Sequence, residues 1–243
     1  MYSRVLDAMT SNKKLILFDI DNTLVKNSTL HGHSIAMAIE RVTGFSIDLD
    51  EIRKSAKLNF HGNTDRRILE DILNFLGISS DSLMIDSCIE ITSEHYSVNI
   101  HKETAVAVEG AAQALDQLHS IFKLGLVTGN IESVAWNKLR HTKLDGHFET
   151  GGFGSDHRER SELVKIAIDR CRKIYRQDFT NRTYVVGDTP RDIDAAKKAG
   201  TFSIGMATGS FTRDDLAKCN PDIVIGDYSE TDRMLSFIAA LAD

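Results

Sequence analysis

Leu15-Ile16-Leu17-Phe18-Asp19-Ile20-Asp21-Asn22-Thr23 is the stretch on which the fold turns. Four consecutive apolar residues that stop at an aspartate have the pattern of a strand buried on both faces, with polar groups at its carboxyl end. Four later runs share that form: Leu124-Gly125-Leu126-Val127 before Thr128, Tyr184-Val185-Val186 before Gly187-Asp188, Phe202-Ser203-Ile204, and Ile223-Val224-Ile225. Helical stripes lie between them. Ala111, Leu115 and Leu118 share one face, as do Leu163, Ile166 and Ala167, and then Ile193, Ala196 and Ala199. Strands alternating with helices of this length predict an α/β fold, a doubly wound parallel sheet covered on both faces.

From Asn27 to about Ala105 the periodicity is helical throughout. The stripes Ile35-Ala38-Ile39-Val42 and Ile68-Ile72-Leu73-Leu76 are followed by another from Leu83 to Tyr96, with Gly44 and Gly77 where helix ends belong. An all-helical cap, residues 27–105, is therefore predicted as an insert in an α/β core made of residues 1–26 and 106–243.

The composition bounds the function. The chain has 243 residues, a net charge of −6, 42% hydrophobic and 26% charged residues, as ordinary globular proteins do. That mild acidity argues against nucleic acid as the main partner. No apolar run reaches the roughly 18 residues that span a bilayer, and the segment Met1 to Asp21 lacks a signal-peptide core. Cys88, Cys171 and Cys219 are widely spaced and odd in number, which suits free thiols in a reducing compartment. A cytoplasmic protein is expected, as a monomer or homodimer.

In open parallel sheets, ligands bind beyond the carboxyl ends of the strands. There this sequence places Asp19 and Asp21, then Thr128-Gly129-Asn130, then Gly187-Asp188-Thr189-Pro190-Arg191-Asp192. Four carboxylates and a hydroxyl on one rim are costly unless a cation holds them, and oxygen-only ligands select a hard one, Mg²⁺ foremost.

These motifs closely resemble the signature of the haloacid dehalogenase superfamily, in its phosphatase branch. Asp19-x-Asp21-x-Thr23-Leu24 is similar to its motif I, Thr128-Gly129-Asn130 to motif II, and Gly187-Asp188-Thr189-Pro190-x-Asp192 to motif IV, while the helical insert resembles a C1-type cap. The resemblance implies a Mg²⁺-dependent phosphomonoester hydrolase. Asp19 would be the nucleophile that forms an aspartyl-phosphate, and Asp21 the acid and base. Asp19, Asp188 and the main-chain carbonyl of Asp21 would hold the metal, with Asp192 ordering metal-bound water. Thr128 and the amides at Gly129 and Asn130 would bind the phosphoryl oxygens.

Motif III usually offers a lysine. Here Arg160 stands at the start of a helix and is expected to take that place, with Lys165 as its rival. In the cap, Phe60-His61-Gly62-Asn63-Thr64-Asp65-Arg66-Arg67 resembles a stretch of phosphoglycolate-phosphatase-like proteins. Thr64 or Asp65 is expected to cap the helix that follows. His61 and Arg66 are candidates to meet a second anionic group of a small phosphorylated metabolite. His31-x-His33 reads as a surface or hinge pair rather than a metal site. Gly151-Gly152-x-Gly154 does not match a dinucleotide fingerprint, and no P-loop motif occurs. A phosphosugar mutase of the same fold and a non-catalytic binding protein are the alternatives.

Overall fold

A computed structural model of the chain describes residues 14–55 and 60–241. Residues 1–13, which open the predicted core, and 56–59, within the predicted cap, lie outside the described residues. The first half of the chain runs β1 (Leu15–Phe18), β2 (Val25–Lys26), α1 (Leu30–Thr43), α2 (Leu49–Ser55), α3 (Asp65–Phe75), α4 (Ser82–Val98), β3 (Val106–Ala107), α5 (Ala111–His119) and β4 (Lys123–Thr128). The second half runs α6 (Glu132–Thr142), β5 (Gly151–Phe153), α7 (Arg160–Tyr175), β6 (Thr183–Gly187), α8 (Pro190–Lys198), β7 (Phe202–Met206), α9 (Arg213–Ala217), β8 (Ile223–Ile225) and α10 (Thr231–Ala240).

The main sheet is parallel, with strand order β5-β4-β1-β6-β7-β8. After β1 the chain builds outward through β4 and β5, then returns to the other side of β1 for β6. The order therefore reverses at β1, and the carboxyl ends of β4, β1 and β6 lie side by side. That is the position at which α/β sheets bind ligands.

Alternation along β1 divides the core. Leu15 and Leu17 pack with Leu163, Val164, Ala167 and Cys171 of α7 and with Ala195 and Ala196 of α8. Ile16 and Phe18 face the opposite layer, against Ala111, Leu115 and Leu118 of α5, Leu139 of α6 and Ile238 of α10. All four β1 side chains are fully buried, each such burial contributing about 1.5–3 kcal/mol. The helices α1 to α4 close around a separate apolar cluster that includes Ile35, Ile39, Leu69, Ile72, Leu73 and Cys88. The two-stranded ribbon β2–β3 joins the two ends of this helical insert.

Two elements escape the sequence pattern. The β2–β3 ribbon is only two residues long on each strand. Strand β5 is short and glycine-rich, so it carries little apolar signal. Its glycines have a packing cause: a Cβ on Gly151 would lie 2.6 Å from Leu126 Cβ, and one on Gly152 would lie 2.1 Å from the carbonyl oxygen of Leu163. The sheet edge is pressed against β4 and the first turn of α7, and no side chain fits. Gly152→Ala is therefore expected to lower the unfolding free energy by ~1–3 kcal/mol in urea titrations, whereas Gly146→Ala, with open space around it, leaves the midpoint nearly unchanged.

Candidate active site

Asp19 follows β1 directly and is held there by its amide, which donates to the carbonyl of Val186 at 2.9 Å. Asp188 follows β6. Asp192 is in the first turn of α8, whose N-cap Thr189 and N1 Pro190 fix the helix start. The Thr189 hydroxyl and amide both donate to Asp192 Oδ2, at 2.6 and 3.0 Å, so that carboxylate has one oxygen in the cap and the other toward the sheet. Asp19, Asp188 and Asp192 are all buried, and one oxygen from each lies within 4.8 Å of the others.

One cation answers this charge. Arg160 Nη2 lies 2.5 Å from Asp19 Oδ1 and 2.6 Å from Asp192 Oδ1, inside the protein. It reaches them because it opens α7 beside the strand ends, and its Nη1 donates to the carbonyl of Gly62 at 3.3 Å. Lys165 is on the outside of α7, paired with Glu162 at 2.7 Å. Burial pushes the Asp19 carboxyl well above its usual range, and Arg160 only partly offsets this against the repulsion of Asp192 and Asp21. Asp188 is raised by burial and then by Asp19 and Asp192. Its Oδ1 has no hydrogen-bond partner. A buried carboxylate with a free oxygen, between two others, is a donor set that fits a hard divalent cation.

The Asp21 carboxylate does not join this cluster. Asn130 Nδ2 donates to its Oδ2 at 2.8 Å and Lys138 Nζ to its Oδ1 at 2.7 Å. Burial alone would raise its pKa; the Lys138 ammonium beside it, with the hydrogen bonds from Lys138 and Asn130, more than offsets that and lowers it. Only the main-chain carbonyl of Asp21 remains for a ligand set.

At the end of β4, Thr128 Oγ1 accepts from both the amide and the side chain of Asn130, at 3.2 and 2.6 Å. With both acceptor positions taken, its own proton is directed elsewhere. The Asn130 amide is thus engaged with Thr128 in this structure. Gly129 passes under the cap loop, where a Cβ would lie 2.0 Å from the carbonyl oxygen of Asn63.

That loop, Phe60 to Thr64, closes one side of a cleft of about 250 Å³ over Asp19, lined also by Ile35, Leu49 and His31 of the helical insert. Thr64 caps α3, as expected from sequence, accepting from the amide of Arg67, and its hydroxyl donates to the carbonyl of Arg158 at 2.8 Å. His61 lines the cleft, edge-on to Phe211. Arg66 does not reach it, because Asp86 on α4 holds its guanidinium at 2.6 Å. Asp65 does more than open a helix: its amide donates to the carbonyl of Gly129 at 2.7 Å, and its Oδ2 accepts from the amide of Ile131 and from His31 Nε2. His31 is thus part of the junction between insert and sheet, not a surface residue.

Lys138 has no place in the expected site, yet it is 1% exposed beside it. A signal was present in the sequence. Val134, Ala135, Lys138 and Leu139 form the buried stripe of α6, and a lysine in an apolar stripe requires acceptors.

The comparisons with known proteins agree with this geometry. A family model described as haloacid dehalogenase-like hydrolase matches residues 16–206. The chain belongs to that family of enzymes. It is similar to pyrophosphatase PpaX of Anoxybacillus flavithermus, 27% identical over 227 residues that make up 90% of this chain and 95% of that one. It is also similar to phosphoglycolate phosphatase of Aquifex aeolicus, 26% identical over 194 residues, 77% of this chain and 82% of that one. The crystal structure of a predicted phosphatase from Clostridium acetobutylicum shares the fold, with a TM-score of 0.67 at 16% identity, covering 93% of this chain and 100% of that one. Among the described residues, no helix is long and apolar enough to cross a membrane.

The site is expected to be maintained against stability. Asp188 keeps its proton to higher pH in the folded chain than when unfolded, so metal-free stability falls as pH rises through and above the ordinary carboxylate range. Asp188→Asn removes that loss. In EDTA it is expected to stabilise the protein by ~0.5–2 kcal/mol, more at pH 8 than at pH 5, as read by thermal unfolding.

Proposed function

We propose that this chain is a Mg²⁺-dependent phosphomonoester hydrolase that works through an aspartyl-phosphate on Asp19. The observation that carries the reading is Asp19 in a cleft between the insert and the strand ends, bonded to Arg160 and clustered with Asp188, whose Oδ1 has no partner. Asp19, Asp188 and the main-chain carbonyl of Asp21 would hold Mg²⁺, with Asp192 ordering its water. When bound, Mg²⁺ neutralises the repulsion between a carboxylate and a phosphate dianion.

Arg160 occupies Asp19 Oδ1, which leaves the other oxygen to attack phosphorus. Asp21, held as a carboxylate by Lys138 and Asn130, takes up a proton from solvent with the substrate and passes it to the alkoxide as the ester P–O bond breaks. The same carboxylate then takes a proton from the water that attacks phosphorus, the bond to Asp19 breaks, and inorganic phosphate leaves. The free proton of the Thr128 hydroxyl donates to a phosphoryl oxygen. Seating of the insert over the sheet keeps bulk water from the intermediate.

A cleft of about 250 Å³ suits a small phosphorylated metabolite. Similarity to phosphoglycolate phosphatase and to pyrophosphatase PpaX places phosphoglycolate and pyrophosphate first for assay. His61, which lines the cleft, would meet a second anionic group of such a substrate.

Phosphate release from a panel of small phosphate esters and pyrophosphate tests the reading. Release is expected with Mg²⁺, absent with EDTA, and lower by roughly 10³-fold or more in Asp19→Asn. Isomerised sugar phosphate without free phosphate would instead indicate a mutase, and no turnover of any ester a binding protein.

A further inference from the structure

Lys138 is an ammonium sealed in the protein interior, and its surroundings match its three donors one for one. Nζ is 2.7 Å from Asp21 Oδ1, 2.7 Å from Asn130 Oδ1 and 3.3 Å from His31 Nδ1. A buried ammonium is tolerated only when each proton has an acceptor. Two of these acceptors belong to the strand-end loops of the sheet. The third, His31, belongs to α1 of the helical insert.

The third acceptor is fixed in turn. His31 Nε2 lies 2.9 Å from Asp65 Oδ2, a carboxylate oxygen that can only accept, so Nε2 carries the proton and Nδ1 presents its lone pair to Lys138. Asp65 Oδ2 also accepts from the amide of Ile131 at 2.7 Å. The network therefore starts in the core at Ile131, at the start of α6, crosses into the insert through Asp65 and His31, and returns to α6 at Lys138. Its end point is the Asp21 carboxylate. Lys138 and the Asn130 side chain hold the two oxygens of that group, which fixes its plane as well as its position.

We propose that Lys138 is a positioning residue for Asp21, and that docking of the helical insert, through His31 and Asp65, completes the set of acceptors that keeps it in place. This rests on the phosphatase reading above. Lys138 acts through Asp21, and it does not line the cleft where a substrate would sit. It aligns the carboxylate that protonates the leaving oxygen, and it does so fully only when the insert is seated over the sheet. An open insert removes His31, frees one ammonium proton and loosens the acid, so acid catalysis is tied to closure.

Leaving-group dependence separates this role from a merely structural one. Steps up to leaving-group departure set kcat/KM, and dinitrophenolate departs without a proton whereas a simple alkoxide needs one. In Lys138→Met, kcat/KM for a simple alkyl phosphate is expected to fall by ~10²–10³-fold, while that for dinitrophenyl phosphate stays within about threefold. The unaffected aryl ester also shows that the variant is folded. His31→Ala is expected to show the same asymmetry with a smaller loss, since Lys138 keeps two acceptors, and it decides the matter if Lys138→Met does not fold. Equal losses on both esters overturn the proposal, provided the wild-type protein turns both over. If the wild type hydrolyses neither ester with Mg²⁺ present, the phosphatase reading itself fails, and the role of Lys138 with it.

Discussion

Three carboxylates gathered in a buried space repel one another, and most of the site follows from how the chain contains that repulsion. The strand order creates the crowding, because reversal at β1 brings the ends of β4, β1 and β6 together. Arg160 neutralises part of it by bridging Asp19 and Asp192 with one nitrogen. A planar guanidinium suits this better than an ammonium, since it is less strongly hydrated and its donors are fixed in a fork. Thr189 takes up one oxygen of Asp192. Asp188 Oδ1 has no such relief. Asp192 Oδ1 and Arg160 Nε also lack a hydrogen-bond partner, so unmet polar atoms gather at the carboxylate cluster, where a divalent cation would find oxygen ligands.

A second constraint is the closeness of backbone to backbone. Gly129, Gly152 and Gly154 all stand where a Cβ would lie within about 2 Å of a carbonyl oxygen, from Asn63, Leu163 and Gly129 respectively. The first of these contacts lets the loop from the insert lie directly on the loop after β4, and the third packs Gly154 under that same loop. Asp65 can then bond both the carbonyl of Gly129 and the amide of Ile131. The same contact brings His31 to Lys138. Packing density and the setting of the Asp21 carboxylate are thus linked through one short loop.

The parallel strands and the strand-end aspartates were legible because buried strands leave unbroken apolar runs, and their polar ends are then conspicuous. Arg160 could be chosen over Lys165 by its place at the start of a helix, and the structure puts it on Asp19 with Lys165 turned outward. Strand β5 was hidden because glycines chosen for steric room erase the hydrophobic signal. Arg66 was misplaced, since an arginine in a cap loop looks equally fit for a substrate anion or for Asp86, and only the fold shows which is near. His31, Asp65 and Lys138 are far apart in the chain, so nothing local marks them as partners. Lys138 alone left a trace, as a charge within an apolar stripe.

The central claim is that Asp19 takes the phosphoryl group covalently, and rapid acid quenching of turnover with a phosphorus-labelled ester tests it most directly. The expected result is one phosphoryl group, labile to alkali, on the peptide containing Asp19, and none in Asp19→Asn. Phosphate release without a labelled chain, or a label carried by another residue, would contradict it.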